Sequence, residues 1–300
     1  MTVLKLGTRG SPLALVQANM VKDALVAAHD IACEIHVIRT TGDRVQDRAL
    51  AEIGGKALWT KELDRALLEG EIDLAVHSMK DVETIRSDSI VIAAMLERAD
   101  VRDRLVGADS IAAIRENGVV GSSSPRRRAQ ILRARPDLSV VLFRGNVDTR
   151  LAKLAAGEAD ATLLAAAGLA RLGRDDVGVA LAVEEMLPAP AQGAVGIECR
   201  ADDAMTAALL SAIDHRATSR AVRAERAFLA ALDATCHSPI AALATIADDI
   251  VTLRAELLSE DGSEHVAGDA SGPDGEALAR DLASALFERA TPAIRAGFAG

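Results

Sequence analysis

The sequence predicts an α/β protein whose open, mostly parallel sheets carry an anion-binding rim along their strand ends. Three observations predict it. Apolar runs of strand length alternate with segments of helical length and pattern. Five of those runs end in small, hydroxyl or basic residues near a helix start. The length, 300 residues, suggests about two domains and leaves ample chain for full cores.

In chain order, Val3-Leu4-Lys5-Leu6 reads as the first strand and is followed by Gly7-Thr8-Arg9-Gly10-Ser11-Pro12. A helix is expected from Leu13 to about Ala28, with Ser11 as N-cap and Pro12 at the first helical position. Cys33 alternates with Ile31, Ile35 and Val37, and Cys199 with Val195 and Ile197, so both cysteines read as inward-facing strand residues. Ile72 to Val76 reads as a strand that runs straight into His77-Ser78-Met79-Lys80-Asp81. Val119-Val120-Gly121 leads to Ser122-Ser123-Ser124-Pro125-Arg126-Arg127, which opens a helix towards Arg135. Ser139 to Phe143 delivers Arg144-Gly145-Asn146, ahead of a helix from Val147 that carries Arg150. Ala161 to Ala165 is followed by Ala166-Ala167-Gly168 and then Arg171. A helix-like stretch from Ser219 to Leu232 ends before Cys236, and His237-Ser238-Pro239 prevents it from resuming. The last expected elements are strands Ile240 to Ala247 and Ile250 to Leu258, turning at Asp248-Asp249, and a helix from about Glu276 to Arg289.

Composition excludes several classes. Half the residues are apolar and 26% charged, ordinary for a globular chain. The arginine run Arg126-Arg127-Arg128 invites a nucleic-acid reading, but a net charge of −10 and 2% aromatics oppose it, with no tyrosine to stack bases. Three cysteines make no disulfide framework, no apolar run reaches membrane-span length, and the first residues lack a signal-peptide core. The expectation is a cytoplasmic protein with no nucleic-acid or membrane partner.

The five basic strand ends suit a ligand carrying several carboxylates or phosphates. Helix N-termini offer unpaired N–H groups, hydroxyls add donors, and arginine presents a two-pronged fork. The competing reading, a set of solvated helix faces, does not explain why the charges recur at strand ends. Nucleotide signatures are absent, and Gly54-Gly55-Lys56 is too short to be one. The six histidines are isolated, so no metal site is expected. Asp81 is a lone carboxylate in a cationic row; it is either an ordinary ion-pair partner or a group that stabilises a cation or passes a proton. Cys236, on a loop, is either structural or a functional thiol.

Together these motifs resemble the porphobilinogen deaminase (hydroxymethylbilane synthase) family, nearly end to end. The resemblance rests on Gly7-Thr8-Arg9-Gly10-Ser11-Pro12-Leu13-Ala14, Thr41-Gly42-Asp43, Gly54-Gly55-Lys56 and Lys61-Glu62-Leu63. It continues through His77 to Asp81, Gly121 to Ser124, Arg126-Arg127, Arg144 to Val147 and Thr149-Arg150. It ends with Pro190-Ala191-Gln192-Gly193-Ala194 and the loop from Cys236 to Pro239. The resemblance implies a transferase of porphyrin biosynthesis that joins four porphobilinogen molecules head to tail into hydroxymethylbilane and releases ammonia. It further implies a dipyrromethane cofactor held by a thioether to Cys236, and Asp81 as catalytic residue. The positions matching the binders of cofactor and substrate carboxylates are Arg9, Ser11, Lys80, Ser122, Ser124, Arg126, Arg127, Arg144, Arg150 and Arg171.

The same resemblance implies two α/β domains like those of periplasmic binding proteins, joined by a hinge with the active cleft between them, plus a small α+β C-terminal domain. The expected spans are 1–97 with 190–215, then 98–189, then 216–300, in a monomer. Some positions depart from the family pattern. Ala234-Thr235 stand where two glycines are usual, Glu83 where proline follows the Lys-Asp-Val run, Pro125 where leucine precedes the arginine pair, Ser122 where threonine, Trp59 where phenylalanine and Ala191 where glycine is usual. The competing function is a non-catalytic polycarboxylate sensor or receptor on the same two-domain scaffold, which leaves Cys236 and Asp81 without a role. An unrelated thiol enzyme using Cys236 is a further alternative.

Overall fold

A computed structural model describes residues 3–39, 60–235 and 237–298. Thr41-Gly42-Asp43, Gly54-Gly55-Lys56, Trp59 and Cys236 lie outside the described residues. The chain divides into two compact units, Met1–Ala99 with Gly193–Ser219, and Asp100–Gln192 with Arg220–Gly300.

The first unit is a five-stranded sheet built from β1 (Leu4–Arg9), β2 (Cys33–Ile38), β3 (Leu74–Ser78), β4 (Ile90–Met95) and β10 (Val195–Arg200), in the order β2-β1-β3-β10-β4. β1 pairs in parallel with β2 and β3, whereas β10 runs antiparallel to β3 and β4. Alternation sends Leu74 and Val76 to one face and Ala75 to the other. On the first face, helix α1 (Pro12–His29) buries Ala18, Val21 and Leu25 against Leu4, Leu6, Ile197 and Cys199. On the second, helix α2 (Lys61–Leu68) buries Leu63, Ala66 and Leu67 with Ile72. Cys33 and Cys199 face the core as expected, and burial pushes the Cys199 thiol up to about 11. Ser11 caps α1 by accepting from the Ala14 N–H at 3.3 Å, with Pro12 in the first turn. β1 runs on to Arg9, three residues past its expected end at Leu6, and β3 begins at Leu74 rather than Ile72.

The second unit holds two sheets. One has the order β7-β6-β8-β5-β9, from β5 (Asp103–Val106), β6 (Val119–Gly121), β7 (Ser139–Val141), β8 (Ala161–Ala165) and β9 (Val179–Ala180). β6 is parallel to both β7 and β8, and β5 is antiparallel to β8. Both five-stranded sheets therefore share one plan. The first strand of the parallel set lies between the second and the third, and an antiparallel strand follows. Helices α3 (Pro125–Ala134), α4 (Val147–Ala155) and α5 (Ala166–Arg171) each follow a parallel strand of this sheet. Ser124 and Asn146 cap the first two, accepting from the N–H groups of Arg127 and Thr149.

The other sheet is an antiparallel meander of β11 (Ile240–Ala247), β12 (Ile250–Leu258) and β13 (His265–Gly272). It packs on α6 (Arg216–Ala231) through Ala221, Ala224 and Phe228, and on α7 (Gly275–Arg289) through Leu282 and Leu286. The first two strands have the expected bounds, and Asp248 and Asp249 both take positive φ, 48° and 62°, as a tight two-residue hairpin demands. β13 was not expected. Its Gly268, Asp269, Ser271 and Gly272 are poor strand formers, and none of its residues is fully buried. The two sheets of this unit are tied by Glu256 on β12, which accepts from Gln130 and, at 2.6 Å, from Arg133 on α3. Ala191, where the family pattern has glycine, is buried with φ of 62° and donates its N–H to Glu225.

Candidate active site

In an open sheet of this plan, ligands bind beyond the carboxyl ends of the strands where the order reverses, here beside β1 and β3 and beside β6 and β8. The residues expected at the site lie there in each unit.

In the first unit, β1 ends at Arg9 and β3 runs into a 3-10 turn, Met79–Asp81. The turn closes with Val82 N–H on Met79 O at 3.3 Å, and Met79 N–H is held by Ala194 O at 3.1 Å. Met79 lies against Gly196, where an added Cβ would come within 2.0 Å of the Met79 sulfur. Met79 and Val82 are buried while Lys80 is half-buried and Asp81 exposed, so the turn displays a carboxylate from a fixed backbone. The strand end is pinned from the side by Gln17 of α1, whose Nε2 donates to Ser78 Oγ at 2.8 Å. Behind it, buried Glu198 accepts a two-pronged bond from Arg86, and His77 Nε2 lies 3.2 Å from its Oε2. Burial alone would raise the Glu198 carboxyl, but His77 and Arg86 prevail and hold it at about 2.

In the second unit, Ser122 and Ser124 follow β6, Arg144 follows β7 and Arg171 ends the helix that follows β8. Ser122 Oγ accepts from the Ser124 N–H at 3.2 Å. Arg150 reaches back from α4, donating Nε to Gly145 O at 3.0 Å and Nη2 to Ser123 Oγ at 3.4 Å. Burial pushes the Arg171 guanidinium's pKa down. Arg126 and Arg127 project inward from the first turn of α3 and are almost wholly buried. Both donate Nη2 to Asp103, each at 2.7 Å, and Gln192 adds a third bond to that carboxylate at 2.9 Å. Arg126 Nη1 also donates to Leu187 O, and Arg127 Nη1 to Leu163 O. Burial would raise the Asp103 carboxyl, yet the two guanidinium charges overcome it and keep it well below the usual carboxylate range. The Nε–H of each arginine is buried and has no partner among the described residues. Both arginines lie on the helical turn that Ser124 caps.

Arg9, Ser11, Lys80 and Asp81 thus gather on the first unit, and Ser122, Ser124, Arg126, Arg127, Arg144, Arg150 and Arg171 on the second. Ser11 and Ser124 double as helix caps, which uses an oxygen lone pair and leaves each hydroxyl hydrogen able to donate. Asp103, Gln192, Glu198 and Arg86 were missed as site residues. For Asp103 a signal existed: on a strand it shares the inward face of Leu105, an odd place for a lone acid.

These features define a class, an α/β protein with cationic residues at its strand ends and a single exposed carboxylate, Asp81, among those of the first unit. Residues 4–208 match the porphobilinogen deaminase dipyrromethane cofactor-binding domain, and residues 219–288 the porphobilinogen deaminase C-terminal domain. The chain belongs to the porphobilinogen deaminase family. Its relatives include the porphobilinogen deaminase of Sphingopyxis alaskensis, 59% identical over 99% of this chain and 96% of that protein. That of Paracoccus denitrificans is 55% identical over 96% of this chain and 94% of that protein. Among solved structures, the chain is similar to the periplasmic VFT2 domain of Bordetella pertussis BvgS, at 16% identity and a TM-score of 0.42, covering 70% of this chain and 86% of that one. No helix among the described residues is long and apolar enough to cross a membrane.

Proposed function

We propose that this chain is a porphobilinogen deaminase, a hydroxymethylbilane synthase that condenses four porphobilinogen molecules head to tail and releases ammonia. The family match over nearly the whole chain supports the reaction class. The observation that carries the assignment of residues is the pair of buried guanidinia, Arg126 and Arg127, braced by Asp103, with neither Nε–H donor engaged among the described residues.

A dipyrromethane, joined by a thioether to Cys236, supplies the pyrrole ring on which the chain of substrates is extended. Arg126, Arg127, Ser122 and Ser124 bind its acidic side arms, with Arg144, Arg150 and Arg171 extending the same rim. Arg9, Ser11 and Lys80 bind carboxylates on the first unit. Porphobilinogen carries an acetate and a propionate, so each pyrrole brings two anions to these cations. Asp81 faces the charge of opposite sign. When porphobilinogen sheds ammonia it becomes cationic, and a fixed carboxylate close to the pyrrole nitrogen stabilises that charge and takes part in moving the proton. A receptor or sensor would need the cations but has no use for Asp81 or for a thiol at position 236. The protein works as a cytoplasmic monomer in this reading.

Two measurements on the purified protein test it. Incubation with porphobilinogen should give hydroxymethylbilane and ammonia. The intact mass should exceed that of the bare chain by two porphobilinogens less two ammonias. A chain of unmodified mass that binds porphobilinogen without consuming it would support the receptor instead.

A further inference from the structure

Asp81 is exposed, so what the fold fixes is the backbone that carries it, and it is fixed from either side. On the N-terminal side the β3 register, the Ala194 contact and the packing of Met79 on Gly196 hold the chain. On the C-terminal side nothing so regular exists, since residues 83–89 form neither helix nor strand before β4 begins. That connection is held through a side chain. Arg86 donates Nε to Glu198 Oε1 and Nη2 to Glu198 Oε2, both at 2.8 Å, and Glu198 sits fully buried on β10, opposite Ala75 of β3. Arg86 also donates Nη1 to Glu83 Oε2 at 2.8 Å and Nη2 to Asp64 Oδ1 of α2 at 2.6 Å. Thr60 closes the ring by donating its hydroxyl to Glu83 Oε2 at 2.7 Å.

One guanidinium therefore serves three carboxylates at a site where Arg86 is 10% exposed and Glu198 not at all. A buried ion pair is weak evidence for stability, because desolvation offsets the attraction, and an excess of acid makes the balance worse. What such an arrangement does supply is direction. The planar fork of arginine accepts few geometries, and with Nε and both Nη groups engaged the guanidinium can neither turn nor withdraw. We propose that Glu83, Arg86 and Glu198 form a clamp that fixes the course of the chain after Asp81 and so aims its carboxylate. These are positioning residues: they act through Asp81. The inference rests on the reading of Asp81 given above.

The test uses the full-length protein carrying its normal adduct by intact mass. Arg86→Lys keeps the charge but loses the fork, and Glu83→Gln keeps the shape but loses the charge. With Asp81 misaimed, kcat of Arg86→Lys should fall by about 10- to 100-fold, a typical consequence of roughly 1 Å of misplacement, while KM stays within about threefold. Glu83→Gln should show a smaller fall in kcat with the same unchanged KM. In an Asp81→Glu background, whose carboxylate is already displaced, Arg86→Lys should cost less than it does alone, the non-additivity expected of residues acting through one group. A purely structural clamp predicts the reverse, a lower Tm with unchanged kcat per folded, adduct-bearing molecule. That result, in either variant, overturns the proposal. Should Arg86→Lys fail to fold, Glu83→Gln decides, since Glu83 is partly exposed at the edge of the cluster. The Asp81→Asn variant separates the two failures: full turnover there removes the reading of Asp81 itself, whereas collapse there with a normal Glu83→Gln removes only the clamp.

Discussion

Asp103 and Arg126 meet across 2.7 Å with side chains 0% and 4% exposed, and each offsets part of the cost of burying the other's charge. Asp103 does not merely neutralise Arg126. Asp103 accepts from Nη2 while Leu187 O and Gln130 Oε1 accept from Nη1, and the Nε–H has no partner among the described residues. Arg127 repeats the arrangement through the other oxygen of the same carboxylate. Charge and direction are both set before any ligand arrives, which is the condition for strong binding of a carboxylate.

Arg126→Leu and Arg127→Leu should each impair cofactor loading or substrate binding. Removing one member of a buried pair costs roughly 3–5 kcal/mol, against about 0–1 kcal/mol for an exposed pair. Intact mass would show the lost adduct and thermal unfolding the lost stability. Near-normal kinetics and stability in both variants would return these arginines to ordinary helix-face charges.

Cys236→Ser should lack the adduct and nearly all activity, because a hydroxyl is a far poorer nucleophile than a thiol for the thioether bond. Mass spectrometry of the intact chain, followed by an assay of hydroxymethylbilane formation, reads both. A wild-type protein that is fully active yet unmodified would sink the attachment.

Asp81→Asn nearly preserves shape while removing the negative charge. The variant should fold, and its turnover should collapse by about 100-fold or more if the carboxylate stabilises a cation and moves a proton. Asp81→Glu keeps the charge at a shifted position and should retain part of the activity. Steady-state kinetics of both variants decide: asparagine turning over as fast as aspartate, or glutamate slower than asparagine, would contradict the role.

Glu198 gives the first unit an acid limit. Its carboxyl is depressed from 4.5 to about 2 in the folded chain, so the folded state binds fewer protons than the unfolded one in that interval. The stability it contributes is fully present above pH 4.5 and disappears as pH falls through about 2; it amounts to something on the order of 3 kcal/mol. Tm measured from neutral pH downwards should decline through this window more steeply for the wild type than for Glu198→Gln. Parallel slopes would mean that Glu198 titrates normally.

What the sequence alone determined was whatever a few neighbouring residues could decide. Ser11-Pro12, Ser124-Pro125 and Asn146 start their helices by bonding N–H groups three residues on, and Asp248-Asp249 turns a hairpin because aspartate tolerates positive φ there. Those local signals placed the basic residues and Asp81 at strand ends, and the motifs among them were distinctive enough to point to the family. Tertiary structure decided the rest, because the interactions that aim these groups join distant parts of the chain. Asp103 lies 23 residues from Arg126, and Arg86 lies 112 residues from Glu198. β10 enters the sheet between β3 and β4, which puts a buried glutamate behind His77 and a glycine beneath Met79, and no stretch of local sequence announces that insertion. The physical reason is range. A cap or a turn is paid for within a few residues, whereas a buried charge can be satisfied only by whatever partner the whole fold brings to it.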